Sequence, residues 1–325
     1  GGFAALSGSS VASALTMGRT ALAEMDRFNY SPRLSTGVVA AGGTLGILIP
    51  PSTGFVIYAI LTEQSIGRLF MAGVLPGILL LTLFLLTVLL LCALRPSLGP
   101  KGPATTLSEK GRGFLGAVPI LVVILLTIGG IYTGVFSPTE AAGVGAALVI
   151  VIGAVSRTLD LRSFWQAARS SVVTTASVML ILMAAHLINP FIALSHLPAE
   201  VSRMLVAFDL GTYGTLILIL AIYLVLGCFL EGLAMLVLTL PIFMPVILSL
   251  GIDPIWFGVL VVLTLEMGLI SPPVGINVFI VKSVARDVPL SEIFWGVIPF
   301  WFAMLVTLAL LVALPQLSLW LPGMM

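Results

Sequence analysis

A chain of 325 residues that is 59% hydrophobic and 8% charged, with a formal net charge of +1 and a mean hydropathy of +1.22, lies far outside the composition of soluble domains, where roughly a quarter of residues are charged. It reads as an all-α polytopic membrane protein. No basic tract suggests a nucleic-acid partner, and without an H-E-x-x-H motif or nucleotide-binding loop the metalloprotease and ATP-driven pump readings have no support. The two cysteines, Cys92 and Cys228, lie in apolar runs without metal-ligand spacing and read as packed thiols.

The opening GGFAALSGSS carries no basic n-region and no small-residue cleavage site, so it is not a signal peptide. It reads as the tail of a segment already inside the membrane, with a preceding portion expected and SGSS at a hairpin tip. Spanning helices need about 20 apolar residues, and runs of that kind cover 69–94, 114–133, 138–156, 172–195 and 292–320. Between them lie polar links at 19–33 and 95–113, and an amphipathic stretch, LRSFWQAARSS at 161–171, expected along the interface.

Three segments break the simple pattern. Residues 34–64 and 254–283 are each interrupted by Pro-Pro, in LIPPS and ISPPVG. Residues 211–248 would make a helix of roughly 57 Å, nearly twice a ~30 Å hydrocarbon core, and a polar LEGLAM falls at their middle. They are expected to dip in and return as a re-entrant hairpin. If the Pro-Pro segments cross and the SGSS and LEGLAM segments are re-entrant, twelve Lys/Arg from Arg19 to Arg286 fall on one side, against Arg68 and Arg203 on the other. Reversing those roles leaves nine against five. The positive-inside rule prefers the first arrangement and makes the basic side cytoplasmic.

A shift of about 222 residues superposes Ser9-Ser10 on Glu231-Gly232, Gly46 on Gly268 and Pro50-Pro51 on Pro272-Pro273. The inferred topology gives the copies opposite orientation, so this is an inverted repeat with paired interrupted helices, the pattern of secondary transporters with a site near the midplane. Irregular backbone at that depth is tolerated only where it lines a cavity. Proline at a helix restart gives up a donor that had no partner and presets φ. The freed half-helix ends suit an anion at the N–H side and a cation at the carbonyl side.

The first tip, Ser7-Gly8-Ser9-Ser10, offers hydroxyl and carbonyl oxygens of the kind a Na⁺ site needs, and is paired in this reading with the Ala41–Gly46 run just before the first break. Small serines also serve plain helix packing. The second-half equivalents are Glu231-Gly232 and Glu266 to Ser271, with Asn277 beyond. A carboxyl at membrane depth is a functional hypothesis by default, although both glutamates also fit a role as neutral structural donors. Ser137-Pro138-Thr139-Glu140 is a capping box and Asp253-Pro254 an N-cap with a first-turn proline, both structural. His186 reads as an interior hydrogen-bonding group.

The motifs GSSVASALTMG (8–18), GGTLGILIPPS (42–52), GVFSPTEAA (134–142), PIFMPV (241–246) and GLISPPVGIN (268–277) together resemble the large membrane subunit of the TRAP (tripartite ATP-independent periplasmic) transporters, over essentially the whole chain. The resemblance implies Na⁺-coupled uptake of an organic acid, such as a dicarboxylate or sialic acid, across the bacterial inner membrane. It implies a periplasmic substrate-binding protein and a small four-helix membrane subunit as partners, with no cofactor beyond the coupling ion. It also implies an elevator, with transport elements at 1–68 and 211–290 moving against scaffold at 69–210 and 291–325. By the matching positions, Na⁺ is expected at Ser7, Ser10, Gly43, Gly46, Pro50, Glu231, Gly232, Gly268, Ser271 and Pro272, and substrate at Ser9, Ser10, Ser52, Thr53 and Asn277. Two other readings stand beside it. One is a stand-alone Na⁺- or H⁺-coupled anion carrier; the other is an intramembrane serine protease using Gly8-Ser9-Ser10-Val11 with His186 as base, which requires the two groups within hydrogen-bonding reach.

Overall fold

The computed structural model describes residues 7–100 and 107–325; positions 1–6 of the first tip segment and 101–106 of the following link lie outside them. No strand occurs among the described residues. The first half contains α1 (Ser10–Arg27), α2 (Pro32–Leu48), α3 (Thr53–Thr62) and α4 (Ile66–Leu94). The middle contains α5 (Leu107–Tyr132), α6 (Pro138–Val155), α7 (Leu161–Leu194) and α8 (Leu197–Ala207). The second half contains α9 (Gly211–Gly227), α10 (Gly232–Ser249), α11 (Pro254–Leu269), α12 (Ile276–Val284), α13 (Leu290–Ala313) and the short α14 (Gln316–Leu319).

The repeat read from the sequence is visible in the element boundaries. The starts of α1 and α2, Ser10 and Pro32, recur as the starts of α10 and α11, Gly232 and Pro254, at the expected shift of about 222 residues. The breaks recur too: α2 gives way to α3 across Ile49–Ser52 with a bend of 40°, and α11 gives way to α12 across 270–275. Proline has no N–H to continue the ladder and its ring clashes with the preceding turn, so each Pro-Pro ends one helix. Both Pro-Pro bonds are cis. The restart after the first break is capped by Ser52, whose hydroxyl accepts the Phe55 N–H at 3.3 Å.

Local sequence sets the other helix starts as expected. Asp253 accepts the N–H groups of Ile255 and Trp256 at 2.7 and 3.2 Å. Ser137 and Glu140 close a reciprocal capping box, with Ser137 N–H donating to Glu140 Oε2 at 2.8 Å and Glu140 N–H donating to Ser137 Oγ at 3.3 Å. The long 211–248 segment is two helices broken at Cys228–Glu231, and its arms lie side by side, with Thr239 of α10 donating to the Tyr223 hydroxyl of α9 at 2.8 Å.

Two boundaries differ from the periodicity reading. Residues 161–171, read as a separate interfacial stretch, are the first turns of α7, a continuous helix of 34 residues. Asp160 caps it, and no proline or glycine occurs before Pro190 to stop it. The 292–320 run stops at Ala313 and resumes as α14 after Pro315, the proline again ending the ladder.

Five helices, α4, α6, α7, α10 and α13, are long and apolar enough to cross a membrane, and the bent α2–α3 pair makes a sixth if counted as one span. Burial divides them. In α11 every residue from Ile255 to Leu269 is buried, and α2 is buried along most of its length. The two broken helices are therefore the centre of the molecule. The apolar side chains of α4 and α7, such as Leu89, Leu94, Leu180 and Leu187, face outward, as expected of helices solvated by lipid. Close backbone crossings lock the centre. An added Cβ on Gly296 of α13 would lie 2.1 Å from the Arg33 carbonyl oxygen, and one on Gly37 of α2 would lie 2.3 Å from that of Gly296. Only glycine lets α2 and α13 approach this closely.

Candidate functional site

The first tip is built by one left-handed glycine. Gly8 has φ +58, and a side chain there would meet the Pro51 carbonyl oxygen at 2.8 Å. Its own carbonyl accepts the Thr53 hydroxyl at 2.7 Å and the Thr53 N–H at 3.4 Å. The tip is thus tied to the restart of the broken helix. Ser9 caps α1, accepting the Ala12 N–H at 3.4 Å, and Ser7 donates to the Ser9 carbonyl at 3.0 Å and pairs with the Ser13 hydroxyl. Ser10 is buried, and its carbonyl oxygen packs so close to Gly43 that a Cβ there would stand 2.9 Å away. Ser7, Ser9, Ser10, Gly43, Pro50, Ser52 and Thr53 therefore gather at one junction of tip and break. Pro50 and Ser52 are buried and Thr53 exposed.

The second tip is held differently. Glu231 is exposed and caps α10, its Oε2 accepting the N–H groups of Leu233 and Ala234 at 2.9 and 3.2 Å. A Cβ on Gly232 would meet nothing within 4 Å. One residue before the break, Gly227 of α9 crosses Gly268 of α11 backbone to backbone, and a Cβ on Gly268 would fall 2.5 Å from the Gly227 carbonyl carbon. At the α11 end, Ser271 donates to the Met267 carbonyl at 2.6 Å and accepts the Trp301 indole N–H at 2.8 Å. The Cys228 thiol donates to the Leu224 carbonyl at 3.2 Å. Pro272 is exposed.

The repeats meet at Glu266. This residue of α11 is 1% exposed, and the Ser10 side chain of the first tip and the Glu231 carboxyl are near enough to act on its carboxyl. Asn277, at the start of α12, is fully buried, and neither its Nδ2 nor its Oδ1 has a hydrogen-bond partner among the described residues. Such orphaned groups in a protein interior call for a ligand, ion or water. Among the described residues no hydrogen bond joins Asn277 to Ser9, Ser10, Ser52 or Thr53, and none involves the Gly46 backbone outside its helix. Two cavities, of about 580 and 660 Å³, lie at the other end of α1, around Glu24 to Tyr30 and around Arg19, Arg33 and Arg286. Neither lies at the tips.

Three participants carry little sequence signal. Trp301 is one tryptophan in an apolar helix, and nothing local marks it as the partner of Ser271. Cys228 looks like any packed thiol, and Gly227 is a glycine in an apolar run. By contrast, the protease pairing does not form: His186 Nδ1 pairs with the Leu182 carbonyl of its own helix at 2.9 Å, and no hydrogen bond among the described residues joins it to Ser9 or Ser10.

Comparison with known proteins agrees with this architecture. Residues 1–317 match the family described as the tripartite ATP-independent periplasmic transporter, DctM component. The C4-dicarboxylate TRAP transporter large permease protein DctM of Pseudomonas aeruginosa is 37% identical over 322 residues, covering 99% of this chain and 75% of that protein. The sialic acid TRAP transporter large permease protein SiaM of Vibrio cholerae is 33% identical over 321 residues, covering 98% of this chain and 74% of that protein. The isethionate TRAP transporter permease protein DctMQ of Oleidesulfovibrio alaskensis is 32% identical over 330 residues, covering 99% of this chain and 50% of that longer protein. A buried pair of broken helices, two polar tips and a family match across nearly the whole chain lead to one conclusion: this multi-pass membrane protein belongs to the DctM-component family of TRAP transporters, and is a permease rather than an enzyme.

Proposed function

We propose that this chain is the large permease subunit of a Na⁺-coupled symporter that takes up an organic acid delivered by a periplasmic binding protein, with a small four-helix membrane subunit completing the scaffold. The bacterial inner membrane is its location in this reading, with the basic loops cytoplasmic. The observation that carries the proposal is the meeting of the first tip with both broken helices: Gly8 with Thr53, Ser10 with Gly43, and Ser10 with Glu266. Hard oxygen donors concentrated at interrupted helices suit a cation, and the N–H ends of α3 and α12 suit an anion. The three relatives named above are designated for a C4-dicarboxylate, sialic acid and isethionate, which supports an organic anion as cargo here.

In this proposal the coupling ions are held by oxygen atoms of Ser7, Ser10, Gly43, Gly46, Pro50, Glu231, Gly232, Gly268, Ser271 and Pro272. The substrate lies against Ser9, Ser10, Ser52, Thr53 and Asn277. The Asn277 amide, buried without a partner, is a donor available to a carboxylate. Ion binding orders the tips and makes the anion site competent, and inward movement of charge gains about 2.3 kcal/mol per elementary charge per 100 mV. The transport elements at 1–68 and 211–290 move as one body against the scaffold at 69–210 and 291–325.

The test is uptake of labelled C4-dicarboxylate and sialic acid into proteoliposomes holding the full-length permease, with and without its binding protein and small subunit. Uptake that requires Na⁺ and both partners supports the proposal. Equal uptake with K⁺ replacing Na⁺ at fixed membrane potential overturns the coupling, and uptake by the permease alone moves the assignment to a stand-alone carrier.

A further inference from the structure

Glu266 is a carboxyl group inside the most buried helix of a membrane protein, where an uncompensated charge is costly. Its compensation is incomplete within the chain. Ser10 is within reach of the carboxyl, but Oε2 is sealed from solvent and has no hydrogen-bond partner among the described residues. The ionisable neighbour that acts on it is Glu231, of the same sign. The ion pairs among the described residues, Arg27–Glu24 and Arg203–Glu200, lie elsewhere. A buried, unpartnered carboxylate oxygen with a hydroxyl beside it is a hard oxygen-donor environment, which attracts a cation rather than an anion. A serine hydroxyl close to a carboxylate keeps lone pairs for an ion.

We propose that Glu266 is a direct, charged ligand of one coupling cation, through Oε2 and together with the Ser10 hydroxyl, so that this cation site spans the two repeats. The inference rests on the Na⁺-coupled reading and adds to it a carboxylate ligand. Ser10 enters from the tip of the first repeat and Glu266 from the broken helix of the second, so an ion bound there ties the halves together. That gives ion binding a structural consequence: occupancy closes the first tip onto α11.

The experiment measures Na⁺-dependent thermal stabilisation of the full-length permease in detergent, titrated with NaCl at constant ionic strength against choline chloride. It compares the wild type with Glu266→Gln, Glu266→Asp and Ser10→Ala. Glu266→Gln keeps the shape and removes the charge. Its half-saturating Na⁺ concentration rises by about tenfold or more, since even indirect partners of a bound ion contribute that much, while its melting temperature without Na⁺ changes little. Ser10→Ala shifts the same titration in the same direction by less, and Glu266→Asp falls between Gln and wild type. Should Glu266→Gln not fold, the Asp and Ala titrations decide alone. Wild-type stabilisation by Na⁺ that persists unchanged in the Glu266 and Ser10 variants overturns this site while leaving Na⁺ coupling intact. A wild type that Na⁺ does not stabilise, and whose uptake ignores Na⁺, overturns the coupled reading and this site with it.

Discussion

The Thr53 hydroxyl donates to the Gly8 carbonyl at 2.7 Å, tying the first tip to the restart of the broken helix 45 residues later. The Thr53 N–H points at the same oxygen from 3.4 Å, so a residue at the mouth of the break holds the tip closed by two donors. Removing the hydroxyl leaves the weaker of the two.

Thr53→Val keeps the side-chain shape and is expected to cost about 1 kcal/mol of stability, the net value of one intramolecular hydrogen bond. Thr53→Ser keeps the donor and most of the stability. Amide exchange at residues 7–13 checks this: protection falls in the valine variant and stays near wild type in the serine variant.

Gly268→Ala places a Cβ 2.5 to 2.8 Å from the backbone of Gly227. Both partners are main chain and cannot rotate away, so α9 and α11 must separate, with a loss of about 1–3 kcal/mol. Gly232→Ala adds a methyl where nothing lies within 4 Å and leaves thermal stability near wild type. Melting curves of the two variants side by side separate close packing from a general intolerance of glycine replacement.

Ser271 and Trp301 are unequal partners. Trp301→Phe removes the indole N–H donated to Ser271 Oγ at 2.8 Å and leaves a hydroxyl still bonded to the Met267 carbonyl, a loss of about 1 kcal/mol. Ser271→Ala strands the indole N–H with no acceptor and costs about 1–3 kcal/mol. Thermal unfolding should rank the serine variant as the less stable; the opposite order would mean that ring packing outweighs the hydrogen bond.

Asp160, at the start of α7, has its carboxyl held below the usual carboxylate range by hydrogen bonding to Ser163. A carboxyl lowered in the folded state adds stability above its unfolded pKa of about 3.9, and that stability disappears as pH falls through the lower folded value. Asp160→Ala is therefore expected to lower the melting temperature by a constant amount from neutral pH down to about pH 4, and by progressively less in stronger acid. Melting temperatures of both proteins across that range provide the check; a difference that grows on acidification would contradict the capping role.

Much of this protein is legible along the chain because much of it is local. Pro50-Pro51 and Pro272-Pro273 end helices wherever they stand, Ser137 with Glu140 and Asp253 with Pro254 start them, and apolar runs of sufficient length become spans. The recurrence of Ser10 and Pro32 as Gly232 and Pro254 follows from the same local grammar written twice. The polar character of both tips was equally readable, because a serine or a glutamate in such surroundings is conspicuous. What the linear pattern leaves open is which of these groups meet. The approach of Ser10 to Glu266, the crossing of Gly227 over Gly268 and the reach of Trp301 to Ser271 depend on how helices distant in sequence cross, and one apolar face looks much like another before it packs. The continuity of α7 through its amphipathic start is of the same kind, since polar residues without a proline or glycine mark a change of surroundings and not a helix end. Local backbone chemistry thus determined the elements and their breaks, while close packing in three dimensions decided that the Glu266 carboxyl would be buried with one oxygen unpartnered among the described residues.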